Sequence, residues 1–340
     1  MNRFLSFVSA AFMLLIMTGC KERVSCPVMP SPLCSGDTVA LVAPAYHMND
    51  SLVAVSCELL KEYGFVPVLG KNALKRYPDV EGYSSFAGSI EERKEDLLWA
   101  LNDKQVKGII CLTGGYGSVH LVSKEVADAF RNNPKWFVGC SDITTLLMAS
   151  VDAGVMSIHG NMCIAFAQKG MEDAGNIAVL DALKGIFPNY ELPADSLNIN
   201  GKAKGMLVGG NMTNIVPLLG TEYDCFEGHD CILFIEEVGE SMHCIERQLS
   251  AILLHHSDRI KGVIVGDFVD CGKEFGFERG VEGMIHSRLK DMGIPVCFGF
   301  HGGHADLNLP LIEGAEVTLQ VTGTSVSICE AAASNELTEE

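Results

Sequence analysis

Residues 106–120, "VKGIICLTGGYGSVH", decide how the rest of the chain is to be read. "VKGIICL" (106–112) is an apolar run of strand length, the pattern of a strand inside a covered parallel sheet. Gly114, Gly115 and Gly117 then permit a sharp turn, and from about Ser118 to Phe130 the spacing predicts a helix. A buried strand, a glycine turn and a helix make one βα unit.

Similar units lie on either side. "DTVALVAPA" (37–45) is an apolar strand, and Leu52, Val55, Leu59 and Leu60 give residues 50–63 a helical spacing. "FVPVLG" (65–70) is a short strand, and Ser89 with Glu92 forms a capping box at the head of a helix over 89–103. "KWFVGCSD" (135–142) is another strand, followed by a helix over 143–151. Residues 170–204 interrupt the rhythm with polar and acidic sequence and read as a crossing between two domains. Beyond it come strands at "DCILFIEEVGE" (230–240), "KGVIVGDF" (261–268) and "IPVCFGF" (294–300), with helices near 241–254 and 280–291. The alternating tail "AEVTLQVTGTSVSICE" predicts a hairpin turning at Gly323. The expected organisation is a linker at 21–36, an N-terminal domain at 37–169, the crossing, a C-terminal domain at 205–330 and an acidic tail at 331–340, all α/β with a parallel sheet.

With 25 Lys and Arg against 43 Asp and Glu, the 340-residue chain carries a net charge of −18, which argues against nucleic acid as a partner. Residues 1–20, "MNRFLSFVSAAFMLLIMTGC", read as a targeting segment: one arginine, an apolar stretch too short to span comfortably, then small residues before Cys20. The ending resembles the lipobox of bacterial lipoproteins, which implies export, a lipid on Cys20 and a protein tethered to a membrane of the cell envelope; a plain secretory signal or a short membrane anchor is the alternative. The cysteines form no Cys-x-x-Cys pair, and Cys111, Cys231 and Cys297 sit in apolar runs, so most are expected as free thiols; Cys26 and Cys34 are near enough in sequence to pair. His301 and His304 have no partner at metal-site spacing, and neither metal nor cofactor is expected.

The glycine turn lacks the final glycine or the lysine of a phosphate cradle. Two uses remain for Ser118: a nucleophile raised on a turn among small neighbours, or the N-cap of the next helix. A nucleophile needs a base and an orienting acid. Glu236 and Glu237 end one later apolar strand, and His301 and His304 follow another, at the strand ends where α/β proteins place their chemistry.

"GGYGS" (114–118), "FVGCSDITTLL" (137–147), "HGNM" (159–162), "LVGGNMTNIVPLLGT" (207–221), "ILFIEEVGE" (232–240) and "GHADLNLPL" (303–311) occur in one order. In that order they resemble the LD-carboxypeptidase family of serine peptidases, which also contains microcin C immunity hydrolases. The resemblance implies Ser118 as nucleophile, Glu236 as orienting acid and His304 as base. It further implies a Rossmann-like N-terminal domain bearing Ser118, a C-terminal domain bearing the other two, a site in the cleft between them, and a homodimer. Acyl transfer to Ser118 before a terminal D-alanine of a murein tetrapeptide would follow, with Val119 and Gly115 N–H groups meeting the oxyanion. A peptide–nucleotide antibiotic or another small amide is the alternative substrate, and a non-catalytic peptide-binding lipoprotein is the alternative role.

Thr113 stands where many relatives have arginine, Cys140 where tyrosine is usual, and "LPLIEGAEV" where Leu-Pro-Leu-Gly is commoner. Tyr116 is a candidate substrate contact beside the nucleophile. Asp142 either contacts the Ser118 loop or N-caps the following helix; Asn211 either lines the cleft or caps a helix; Arg247 binds a substrate carboxylate or forms an ion pair between domains. His120 and His301 fall outside the motif position of the base.

Overall fold

The structure, a computed structural model, describes residues 26–77, 85–272 and 280–330. The targeting segment with Cys20, residues 21–25 of the linker and the tail at 331–340 lie outside the described residues.

Five parallel strands, β1 (Thr38–Val42), β2 (Val66–Leu69), β3 (Val106–Cys111), β4 (Trp136–Gly139) and β5 (Ser157–His159), make up most of the first sheet. Pro67 is tolerated in β2 because that strand is an edge. Helices Asp50–Glu62 and Ala174–Leu183 contribute Val53, Leu60, Val179, Leu180 and Leu183 to the core on one face. Helices Ile90–Asn102, Lys124–Asn132 and Thr144–Asp152 cover the other. The capping box at Ser89 and Glu92 is present as the sequence predicts.

The second sheet contains β6 (Tyr190–Pro193), β7 (Gly201–Asn211), β8 (Cys231–Val238), β9 (Ile260–Val269) and β10 (Val296–Cys297), together with a C-terminal hairpin. Strands β7 to β10 run parallel. The predicted hairpin forms as β12 (Glu316–Val321) and β13 (Ser325–Glu330). Between β10 and β12 the chain returns to the first sheet as β11 (Leu311–Glu313), antiparallel to β5. Helix Thr144–Asp152 is buried at eight of its nine positions because it is shared: Met148 and Val151 face the second core, Leu146 and Leu147 the first. Among the described residues, no helix is long and apolar enough to cross a membrane.

Four expectations change. Residues 26–36 are no loose linker: Val28 pairs with Gly154 and Met156, and Leu33 is buried. The crossing is divided, with its helix on the first sheet and β6 on the second. The helix expected from Ser118 to Phe130 breaks into a 3-10 turn (Ser118–Leu121) and a helix starting at Lys124. The strand at 294–300 shortens to two residues. All twelve described cysteines are free, Cys26 and Cys34 included.

Candidate active site

The candidate groups lie at the C-terminal ends of parallel strands in both sheets, the placement expected for α/β proteins. After β3, Gly117 adopts φ 115° and N-caps the turn at Ser118–Leu121. A Cβ there would lie 2.7 Å from Phe86 Cε1, so glycine is required for both conformation and space. Ser118 is therefore the first residue of the turn and not its cap. It is fully buried, and its hydroxyl donates to the Asp142 carbonyl oxygen at 2.5 Å.

Asp142 holds this loop from the neighbouring strand end. Its carboxylate accepts the N–H of Ser118 at 2.8 Å and of Gly117 at 3.2 Å. Helix Thr144–Asp152 starts after Ile143 instead, so Asp142 caps the Ser118 turn across space and not the helix in its own sequence. Burial pushes the Asp142 carboxyl above its ordinary range, and the two N–H groups with Arg93 pull it back only in part. The residue before it, Ser141, is a non-glycine in the left-handed region, with φ 58°. Strain beside the site thus falls on Ser141, not on the candidate nucleophile. Arg93, buried inside helix Ile90–Asn102, donates to the carbonyls of Pro44 and Gly117 and closes the loop from below.

On the second sheet, the β8–β9 register slips between Ile235 and Glu237, which re-aims Glu236. Glu236 is fully buried and its Oε2 lies 2.7 Å from His304 Nδ1, while Oε1 has no hydrogen-bond partner among the described residues. Burial opposes the charged imidazole, but the hydrogen bond and charge of Glu236, with Glu237 and Asp267 adding to it, hold the His304 pKa above its usual value. Gly303, with φ 132°, leaves the carboxylate room: a Cβ there would sit 2.7 Å from Glu236 Oε2. Glu237 has a separate task. It accepts from Asn211 Nδ2 at 2.6 Å and from the N–H and hydroxyl of Thr213.

The two halves meet around these groups. Thr144 Oγ1 accepts the Asn211 N–H at 3.2 Å, and His159 of β5 lies edge-on to Phe234 of β8 at 4.9 Å. His159 is fully buried with no hydrogen-bond partner in good geometry for either ring nitrogen among the described residues; burial, then the neighbouring His304, push its pKa down to about 3, with Asn308 beside it opposing the shift. Glu236 and His304 are brought together; no hydrogen bond joins either to Ser118 among the described residues. Asn211 precedes a short helix without capping it through its side chain. Tyr116 is 42% exposed and borders a cavity of about 490 Å³ with Phe86, Arg93 and His120. Arg247 is exposed and donates to Cys244 Sγ; no ion pair involves it among the described residues. Asp224, Glu227 and His256 bring ligand-type atoms within 4.8 Å of one another, but they sit at the opposite end of β8, where Asp224 already accepts from His256, Gly220 and Phe226.

Sequence reasoning passed over Ser141, Arg93 and Asn308, the last of which binds the His304 loop. Only Arg93 left a signal: it shares an i, i+4, i+7 stripe with Leu97 and Ala100.

Residues 39–160 match the LD-carboxypeptidase N-terminal domain and residues 204–319 the LD-carboxypeptidase C-terminal domain. The chain belongs to the LD-carboxypeptidase family. As a member it is a serine-type peptidase. The murein tetrapeptide carboxypeptidase of Pseudomonas aeruginosa is 30% identical over 79% of this chain and 89% of its own length. The microcin C7 self-immunity protein MccF of Escherichia coli is 27% identical, over 89% and 96%. An MccF-like protein from Bacillus anthracis superposes with a TM-score of 0.73 at 25% identity, covering 89% of this chain and all of the other.

Proposed function

We propose that this LD-carboxypeptidase removes the terminal D-alanine of murein tetrapeptides through a Ser118–His304–Glu236 triad. The observation that carries the proposal is the pairing of buried Glu236 with half-buried His304 at 2.7 Å, an acid and base prepared for proton transfer. Glu236 fixes the ring so that Nε2 takes the Ser118 proton, and it stabilises the imidazolium that forms. The hydroxyl must first leave the Asp142 carbonyl and turn toward the base. Ser118 Oγ then attacks the amide carbonyl, His304 protonates the departing D-alanine amine, and water hydrolyses the acyl-enzyme by the reverse route. The Ser118 N–H is committed to Asp142, so Val119 and Gly115 N–H groups are the oxyanion donors in this mechanism. Tyr116 lines the route of the peptide; Asn211, buried with its amide bonded to Glu237 and Asn214, supports the site from behind instead of touching substrate, and Asp142 acts through the loop.

In the purified protein, Ser118→Ala should abolish conversion of tetrapeptide to tripeptide, a loss on the order of 10⁶-fold; unchanged turnover rejects the mechanism. The likeness to MccF, a microcin C7 self-immunity protein with a solved complex of aspartyl sulfamoyl adenosine, supports the other reading, hydrolysis of a peptide–nucleotide antibiotic. Parallel assays on a defined tetrapeptide and an aspartyl sulfamoyl adenosine separate the two. We also propose export, lipidation of Cys20 and homodimerisation, supported by residues 1–20 and the family resemblance. Fatty-acid labelling lost in Cys20→Ala tests the anchor, and light scattering the dimer.

A further inference from the structure

Nucleophile and base belong to different sheets, and the His304 loop docks on the first half through residues 301–310 and, directly after them, through β11 on β5. The first of these contacts is buried and polar. Asn308 accepts the Gly303 N–H through Oδ1 at 2.9 Å, immediately before His304. Its Nδ2 donates to Asn161 Oδ1 at 3.1 Å. Asn161, just beyond β5, donates in turn to Asn176 Oδ1 at 2.8 Å and Asp173 Oδ1 at 3.2 Å. Asn176 donates through its N–H to Asp173 and through Nδ2 to the Gly170 carbonyl, both at 2.8 Å. All three asparagines are at most 3% exposed.

An amide is needed at each step because each side chain must accept at one end and donate at the other. Apolar packing would tolerate small slides between the two halves, whereas a satisfied buried relay admits one register. Close fit enforces it further: a Cβ on Gly175 would meet the Asn308 carbonyl oxygen at 2.5 Å. Lys169 adds an outer tie to the Asp306 carbonyl.

We propose that Asn308 and Asn161 are positioning residues that lock the His304 loop onto the Ser118-bearing half. Glu236 sets the orientation of the ring, and the amide relay sets where the ring stands relative to the other sheet. The proposal rests on Ser118 and His304 being nucleophile and base, but not on the substrate's identity. It is therefore tested with whichever amide the parent enzyme hydrolyses, and a parent that hydrolyses none fails the functional proposal instead.

Full-length enzyme carrying Asn161→Ala should lose kcat on the order of 10²-fold, as expected for a displaced catalytic group, with KM within about threefold. The acid limb of kcat/KM should stay in place, because Glu236 still faces His304. Asn308→Asp keeps the acceptor for the Gly303 N–H but sets acceptor against acceptor at Asn161 Oδ1, and Asn161→Asp sets its second oxygen against Asn176 Oδ1 and the Asp173 carboxylate, so both isosteres should lose kcat with KM kept. Both aspartates are close isosteres, so their losses remain readable if the alanine variant folds poorly. The double variant Asn161→Ala/Asn308→Ala should be no slower than the slower single one. Parental kcat in Asn161→Ala, parental kcat in either aspartate variant, or losses that multiply in the double variant would each overturn the proposal.

Discussion

Replacing Gly303 with alanine tests the acid–base pair without touching either partner. The new Cβ would lie 2.7 Å from Glu236 Oε2, where ordinary contact begins at 3.4 Å, so the carboxylate must withdraw by about 0.7 Å. Withdrawal on that scale takes a 2.7 Å hydrogen bond to the limit of useful geometry. A bond to a charged group contributes about 1.5–3 kcal/mol net, which is roughly a 10- to 150-fold loss of rate if felt in the transition state. The left-handed φ adds a separate stability cost of about 1–3 kcal/mol for a non-glycine residue. The direction of the pH effect identifies the cause. In the parent, burial lowers the His304 pKa, and Glu236, joined by Glu237 and Asp267, more than offsets it and keeps the pKa high. With Glu236 drawn away, burial dominates and the pKa falls, so the neutral base persists to lower pH. A kcat/KM profile over pH 5–9 should therefore fall in height while its acid limb moves down. Retained rate with an unmoved limb would refute the reasoning; a lower rate with an unmoved limb would show that Glu236 does not govern the base.

Glu236→Gln removes the interaction that raises the His304 pKa. That interaction stabilises the fold fully below the unfolded pKa and is lost as pH rises through the folded one, so the Tm gap to the parent should be widest at acidic pH and narrow as pH increases. A gap that is constant or widens toward alkaline pH counts against the pairing. Asp142→Asn keeps one acceptor but turns an NH₂ toward the second N–H of the Ser118 loop, and should lower both Tm and kcat, with about 1.5–3 kcal/mol lost in chemical unfolding. Ser89→Ala removes the capping-box acceptor and should cost about 1 kcal/mol with kcat unchanged, because helix Ile90–Asn102 keeps its packed face.

What the sequence disclosed follows from the range of the forces involved. The capping box, the β12–β13 hairpin and the apolar strands are set by residues close in the chain, and periodicity exposed them. The Glu236–His304 contact was reachable through the order of motifs, although its residues are 68 positions apart. The function of Asp142 was not, since an aspartate before a helix looks like an N-cap whether its acceptor serves that helix or a loop 24 residues away. Asn161 and Asn308 are 147 positions apart, and neither neighbourhood distinguishes a buried amide from a loop asparagine. Residues 26–36 looked like a tether because prolines and serines dominate them, yet Leu33 finds a hydrophobic core that only the folded sheet provides.

Strand β11 has a consequence for synthesis. The edge of β5 is completed by Leu311–Glu313, which leave the ribosome about 150 residues after β5 itself. Until then the first sheet exposes an unpaired edge, and unpaired edges recruit other strands. The N-terminal half therefore cannot finish folding on its own, and a chain cut short before residue 311 should aggregate even though every candidate catalytic residue is already present in it.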